Sequence, residues 1–532
     1  MTYPEGVQSS DRIDHQDVRL RKEGDSPVEL ENLKRSTVLN SVSSVLDVLS
    51  KLIVGFVLNP FIVASLGATL FGVWQVISQL NSYMATADVQ AGASLKFILA
   101  KERTTSTEFE LKKAVSCALY SNLFFLPLFC IVGALVVWFA PILSKVTVEQ
   151  FPIVRGASAL LVSTFVVTQM FFLYESTLHG MNLNYKRIGI RAVIIIMTGI
   201  GSAVVLYAGW SIIGLALVQF ISAIVIGLSF VWIVKSNIPW FGFVKVEIRE
   251  IIAFVKVSGW FMLMKFAALF NSSIDMILLG YFAGPKFVAA YAISKYAVTA
   301  GSNLITTALS AGTIGLGKFI GERNFEKIVL ARKQFLMFQW VLFFVFGTLI
   351  CMFNRSFIGL WTNKELFSGQ LNTLLIVIVA LLNVIIQFDG SIINITLNLK
   401  RKILFLFLSA TVTVVCVSLL VPIYQTTGLL VGMICGNLVI IYGTEKIVAS
   451  VLISKNLLID LFLNKKALIT VCMLLLVSYF SRDLRLSSWL SLALTAVGVC
   501  LVLAPFIWFI MINKMERHSL LSLLNNFKKK KV

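Results

Sequence analysis

The chain has 532 residues, 58% of them apolar and only 14% charged, with a formal net charge of +20. Its mean hydropathy of +0.88 is too high for a surface facing water, since soluble domains carry roughly 25% charged residues. A soluble enzyme, a disordered chain and a secreted disulfide scaffold are therefore excluded, and at about 20 apolar residues per span there is room for about a dozen membrane spans.

Residues 1–36 are polar and mixed in charge, without the apolar run of a signal peptide. They predict a disordered cytoplasmic tail. Long apolar runs follow at 42–66, 71–93, 114–140, 152–178, 188–208, 211–234, 251–282, 287–316, 328–353, 370–397, 403–422, 427–445, 467–481 and 487–512. The expected fold class is an all-α polytopic membrane protein of about fourteen spans. Its expected layout is a first lobe over 37–234, a linker at 235–250, a second lobe over 251–450, two extra spans within 451–513 and a basic tail at 514–532.

Positive charge gathers on the cytoplasmic side of membrane proteins. With the N-terminus inside, the inside segments, taken with Arg191, Arg332 and Lys333 at the adjoining span ends, hold 35 Lys and Arg residues and the outside segments 6. Both termini are expected in the cytoplasm, in a multi-pass protein of the inner membrane. The short thirteenth span is required, because without it the Lys528–Lys531 tail would lie outside. This asymmetry accounts for the net charge, so nucleic acid is not expected as a partner. Seven cysteines stand singly and there are only three histidines, so neither a metal site nor a redox dithiol is expected.

The first half of the chain is repeated. LGATLFGVWQVISQ at 66–79 resembles AGPKFVAAYAISKY at 283–296, an offset of 217. Each stretch has a small turn with Gly, opens an aromatic-rich span and leads to a basic loop. An even number of spans per half makes the repeat parallel, an arrangement that in transporters places a site between the halves.

Charges inside a membrane are costly and usually face a cavity or a partner. Span 1 carries Asp47 and Lys51 one helical turn apart, which fits either a local ion pair or a functional pair. Span 2 carries Gln75, Gln79, Ser82 and Thr86, and its repeat mate, span 8, carries Lys295, Thr299, Ser302 and Thr306 at the same spacing. Each set forms one stripe, and matching stripes point to a shared wet cavity. Span 7 adds Lys265, Asn271 and Asp275, and span 10 adds Gln387, Asp389, Ser391, Asn394, Thr396 and Asn398. Lys51, Lys265, Lys295, Gln75, Gln79, Thr299 and Ser302 are candidates for a substrate cavity. Asp47, Asp275 and Asp389 are candidates for binding H⁺ or Na⁺. Asp88 and Glu175 lie near span ends, where Glu175 reads as an ordinary solvated carboxylate.

Catalytic motifs are nearly absent. GTIGLGKF at 312–319 approaches the phosphate-loop pattern, but Phe319 stands where Ser or Thr should bind Mg²⁺ and no strand precedes it. The terminal KKKV also fits a dilysine retrieval signal, but a solvated basic end is the simpler reading. An enzyme is not expected, nor any cofactor beyond a coupling ion.

The double six-span repeat, the extra pair of spans, SLGATLFGVWQVISQL at 65–80 and the stretch from Ser258 to Lys327 resemble the polysaccharide-exporter branch of the MOP superfamily, which includes the Wzx-type lipid-linked oligosaccharide flippases. The likeness covers about residues 37–512, and the long polar N-terminal tail is a departure. The resemblance implies a V-shaped two-lobed transporter. It would move a polyprenyl-pyrophosphate-linked oligosaccharide across the bilayer for cell-surface polysaccharide or O-antigen synthesis. Its partners would include the polysaccharide polymerase and chain-length machinery. A multidrug exporter or a lipid II flippase of the same superfamily remains open. So does a membrane glycosyltransferase or polymerase, although that class would usually need a large outer loop, and the longest outer segment here is around 354–369.

Overall fold

The computed structural model describes residues 27–84, 91–102, 106–272, 274–321, 325–395, 399–452, 465–513 and 517. Among these there is no strand. Fourteen α-helices follow one another: α1 Pro27–Tyr83, α2 Ala91–Glu102, α3 Glu108–Leu143, α4 Phe151–Gly180, α5 Asn184–Tyr207, α6 Ser211–Asn237, α7 Ile248–Ser272, α8 Asp275–Ala283, α9 Pro285–Gly321, α10 Phe325–Trp361, α11 Gln370–Ile395, α12 Leu399–Leu452, α13 Lys465–Phe480 and α14 Trp489–Phe506.

Among the described residues, nine helices are long and apolar enough to cross a membrane. Two of these are hairpins read as one helix. α1 doubles back at Gly67 and α12 at Gln425, whose backbones are not helical. Predicted spans 1 and 2 are the limbs of α1, and spans 11 and 12 are the limbs of α12. Span 7 is broken into α7 and α8. Each of the fourteen predicted spans thus has its helix. The short thirteenth is α13, of 16 residues. α1 begins at Pro27, inside the segment expected to be tail. Residues 1–26 and most of the basic tail lie outside the described residues.

The repeat is legible in the backbone. Gly67 (φ 71°, ψ 169°) and Gly284 (φ 98°, ψ 168°) stand 217 positions apart and share a conformation open essentially to glycine alone. Short 3₁₀ turns at Val148–Gln150 and Lys364–Leu366 precede α4 and α11 in turn. Gly209 and Gln425, both with positive φ, turn the chain between spans 5 and 6 and between spans 11 and 12.

Apolar side chains cover the outside of the bundle. Phe124, Leu419, Ile423 and Leu494 are all more than half exposed, as a lipid-facing surface requires. The core runs continuously between the lobes at the Gly67 and Gly284 end. Phe71, Val73, Trp74 and Ile77 of α1 pack in one cluster with Val288, Ala289 and Tyr291 of α9. Helices approach closely there, since a Cβ on Gly72 would fall 1.9 Å from the Pro285 carbonyl oxygen. Lys145 donates to the Phe282 carbonyl oxygen at 3.1 Å across the same seam.

At the opposite end, the linker is tied to the first lobe. The Val244 N–H donates to Ser116 Oγ at 2.8 Å, and Lys113 pairs with Glu250. The Lys113 ammonium holds the Glu250 carboxyl below its usual range. α13 and α14 pack against α10 on the flank of the second lobe.

Candidate functional site

A cavity of about 380 Å³ lies inside the second lobe. α9 supplies Lys295, Thr299, Ser302 and Thr306, one residue per helical turn along a single face. α11 supplies Asn383 and Gln387, also one turn apart, and α12 supplies Asn437. Ile376, Val379, Leu430 and Met433 complete the wall. Asn437 donates to Asn383 at 3.3 Å, and the buried Ser302 hydroxyl has no partner among the described residues.

A charged pair closes one side. Lys295 Nζ lies 2.5 Å from Asp275 Oδ2. The same oxygen accepts from the Tyr291 hydroxyl at 2.8 Å, and Oδ1 accepts from the Met276 N–H at 2.9 Å. Asp275 opens α8 at the break in span 7, where the positive end of a helix favours a carboxylate. It is fully buried, whereas the Lys295 side chain remains 25% exposed toward the cavity. The wall therefore offers hydroxyls, amides and one ammonium, a set that binds sugar hydroxyls and phosphate oxygens.

A second cavity of about 250 Å³ lies in the first lobe, among Thr164, Thr168, Glu175, Arg191, Thr198, Gln219 and Ser222. An ionic network borders it. Asp47 pairs with Lys51 at 2.6 Å and approaches Arg191 at 3.8 Å; Glu175 pairs with Arg187 and lies 3.6 Å from Arg191.

The sequence-predicted residues thus separate. Lys295, Thr299, Ser302, Thr306 and Gln387 line the first cavity together, with Asp275 behind Lys295. Gln75 and Gln79 are half-buried in α1 and line neither cavity. Lys51 is half-exposed and bound one turn back to Asp47, the local pair that the spacing allowed. Asp389 faces away from Ser391 and Asn394, into a buried cluster with Arg332 and Glu445. The side chains of Lys265 and Asn271 lie outside the described residues, as do Thr86, Asp88, Thr396 and Asn398.

Two expectations change. Glu175 is an ion-paired wall of a cavity, not a free solvated carboxylate. Arg187 and Arg332, counted with the loop charges, are buried within helices. The phosphate-loop-like stretch, rejected as a nucleotide site in the sequence, is helical as part of α9. Sequence reasoning missed Asn383, Asn437, Tyr291 and Glu445. Asn383 and Gln387 carried a usable signal in their one-turn spacing; Glu445 sat at the edge of its span and was left out.

Two lobes of six spans, a parallel repeat and a polar cavity beside a broken span define a transporter fold. Residues 38–314 match the family described as polysaccharide biosynthesis protein. That is more than half of the chain, which belongs to this family. Solved structures share the fold. The lipid II flippase MurJ in an inward closed conformation superposes with a TM-score of 0.61 at 15% identity, covering 84% of this chain and 98% of that one. An inward-facing multidrug resistance MATE family transporter of the MOP superfamily gives 0.59 at 14% identity, covering 76% and 95%. A MOP superfamily transporter from Pyrococcus furiosus with a binding pocket of reverse polarity gives 0.54 at 15% identity, covering 79% and 96%. No curated protein matches the chain.

Proposed function

We propose that the protein is a flippase that carries a polyprenyl-pyrophosphate-linked oligosaccharide across the cytoplasmic membrane, with both termini inside. The observation that carries this reading is the stripe of Lys295, Thr299, Ser302 and Thr306 facing Asn383, Gln387 and Asn437 across one cavity. Hydroxyl and amide groups match a sugar, and the Lys295 ammonium suits the pyrophosphate. Membership of a polysaccharide biosynthesis family supports the same substrate class. The polymerase and chain-length machinery would take the product on the far side.

The bundle end bearing Gly67 and Gly284 faces outward in this reading, because the basic loops lie at the other end. With the lobes packed together at the outer end, the substrate enters from the inner leaflet. Transport in one direction draws on an ion gradient or on product consumption, and the carboxylates within the spans are the groups available to bind H⁺ or Na⁺. Asp47 and Asp275 are each held by a lysine.

A MATE-like exporter of cationic drugs is the second reading, and Asp275 is its best anchor. The test reconstitutes the full chain in proteoliposomes and follows lipid-linked oligosaccharide reaching the far leaflet beside efflux of a cationic dye. Oligosaccharide movement without dye movement supports the flippase. The reverse pattern supports the exporter.

A further inference from the structure

Arg332, Asp389 and Glu445 come from α10, α11 and α12, and each is at most 1% exposed. The guanidinium meets Asp389 in a two-pronged bond, Nε to Oδ1 at 2.8 Å and Nη2 to Oδ2 at 2.9 Å. Nη2 also donates to Glu445 Oε1. Two carboxylate oxygens therefore share one donor nitrogen. Glu445 Oε2 is buried and has no hydrogen-bond partner among the described residues.

One guanidinium balances one carboxylate. A second ionised carboxylate would leave a net negative charge in the membrane interior, at a cost of several kcal/mol. An unbonded oxygen beside it adds to that penalty. Among the described residues, the cation paired with Asp389 and Glu445 is Arg332. Lys402 of α12 donates to the Gly390 carbonyl at 3.1 Å and to Asn394 at 2.8 Å. Lys446 lies over the Tyr442 ring. Lys466 of α13 is buried on the neighbouring helix, and Lys333 of α10 is exposed. A metal cation would need a cage of oxygens, but the guanidinium already occupies the space between the carboxylates.

We infer that Asp389 and Glu445 share a single proton over Arg332, which makes this cluster a proton-binding site of the second lobe, separate from the substrate cavity. Carboxylates that crowd one site cannot both ionise, and the proton belongs to the pair. Gain or loss of this proton changes the charge where three spans converge, so it biases how α10, α11 and α12 pack. Its use as a coupling site rests on the flippase reading, but its existence does not.

The test needs no substrate. Infrared difference spectra of the purified full chain, recorded between acid and alkaline pH, report a protonated buried carboxyl by its C=O stretch. The wild type at neutral pH shows this band, and ¹³C-aspartate or ¹³C-glutamate labelling shifts it. Glu445→Gln and Asp389→Asn each leave one carboxylate against Arg332, so each loses the band while keeping a neutral cluster that folds. Absence of the band from the wild type at neutral pH, or its indifference to both ¹³C-aspartate and ¹³C-glutamate, overturns the inference; the labelling result decides even if a variant misfolds. Persistence of the band in both variants overturns it too. The flippase reading would stand or fall separately, on the proteoliposome assay.

Discussion

The indole N–H of Trp361 donates to the Phe56 carbonyl at 2.7 Å, joining the end of α10 to the first limb of α1 across the seam between the lobes. Phe56 has a carbonyl to spare because the residue four positions on is Pro60, which has no N–H to close the helical bond. Tyr296 reaches the Leu52 carbonyl one turn earlier, at 3.0 Å. The rings of Phe56 and Trp361 stack with centroids 5.5 Å apart. A proline in one lobe has thus created the acceptor that an aromatic side chain of the other lobe uses.

Trp361→Phe keeps a ring at the seam and removes the donor. A hydrogen bond is worth about 1 kcal/mol net, so the closed-to-open ratio at this end should fall about five-fold. Spin labels at Val148 and Lys286, both exposed at this end of opposite lobes, should show more of the longer distance. Pro60→Ala should act in the same direction, since the restored helical bond competes for the Phe56 carbonyl. Unchanged distances in both variants would show that the bond does not hold the lobes.

Lys295→Ala strands the fully buried Asp275 carboxylate. Breaking one partner out of a buried pair costs about 3–5 kcal/mol, so the single variant should lose thermal stability as well as transport. The double variant Lys295→Ala with Asp275→Asn should recover most of the stability, measured by thermal unfolding in detergent, while oligosaccharide flipping stays low. Lys295→Arg should retain more transport than Lys295→Ala, although the two cations are not equivalent. Normal flipping by the double variant would assign the pair a purely structural role.

Gly67→Ala and Gly72→Ala should part company. A Cβ at Gly67 meets nothing within 4 Å, but its φ of 71° is strained for any side chain. The expected result is a loss of about 1–3 kcal/mol in stability with the lobes unmoved. A Cβ at Gly72 collides with the Pro285 backbone. That variant should lengthen the Val148 to Lys286 distance directly, since a backbone oxygen cannot swing aside as a side chain can.

Topology follows from charge. Reporter fusions after residues 36, 108 and 325 and at the C-terminus should all give cytoplasmic signals. A far-side C-terminus would mean that α13, with its 16 residues, does not cross.

Span number, the parallel repeat and the stripe on span 8 were all legible in the sequence. Each follows from periodicity along one chain: apolar length for a span, a 217-residue offset for the repeat, one residue per helical turn for a face. The turn glycines carried the repeat into the backbone, because only glycine adopts the conformation seen at Gly67 and Gly284. Periodicity says which residues share a face, but it does not say what that face meets. Packing alone brought Lys295 to Asp275 across the break in span 7, and set Arg332, near the start of span 9, between Asp389 and Glu445, 57 and 113 positions away. The stripes of spans 2 and 8 look alike in sequence, yet only that of span 8 lines a described cavity. The physical reason is that a charge or an amide in a membrane is stabilised by its partner, and that partner comes from another helix.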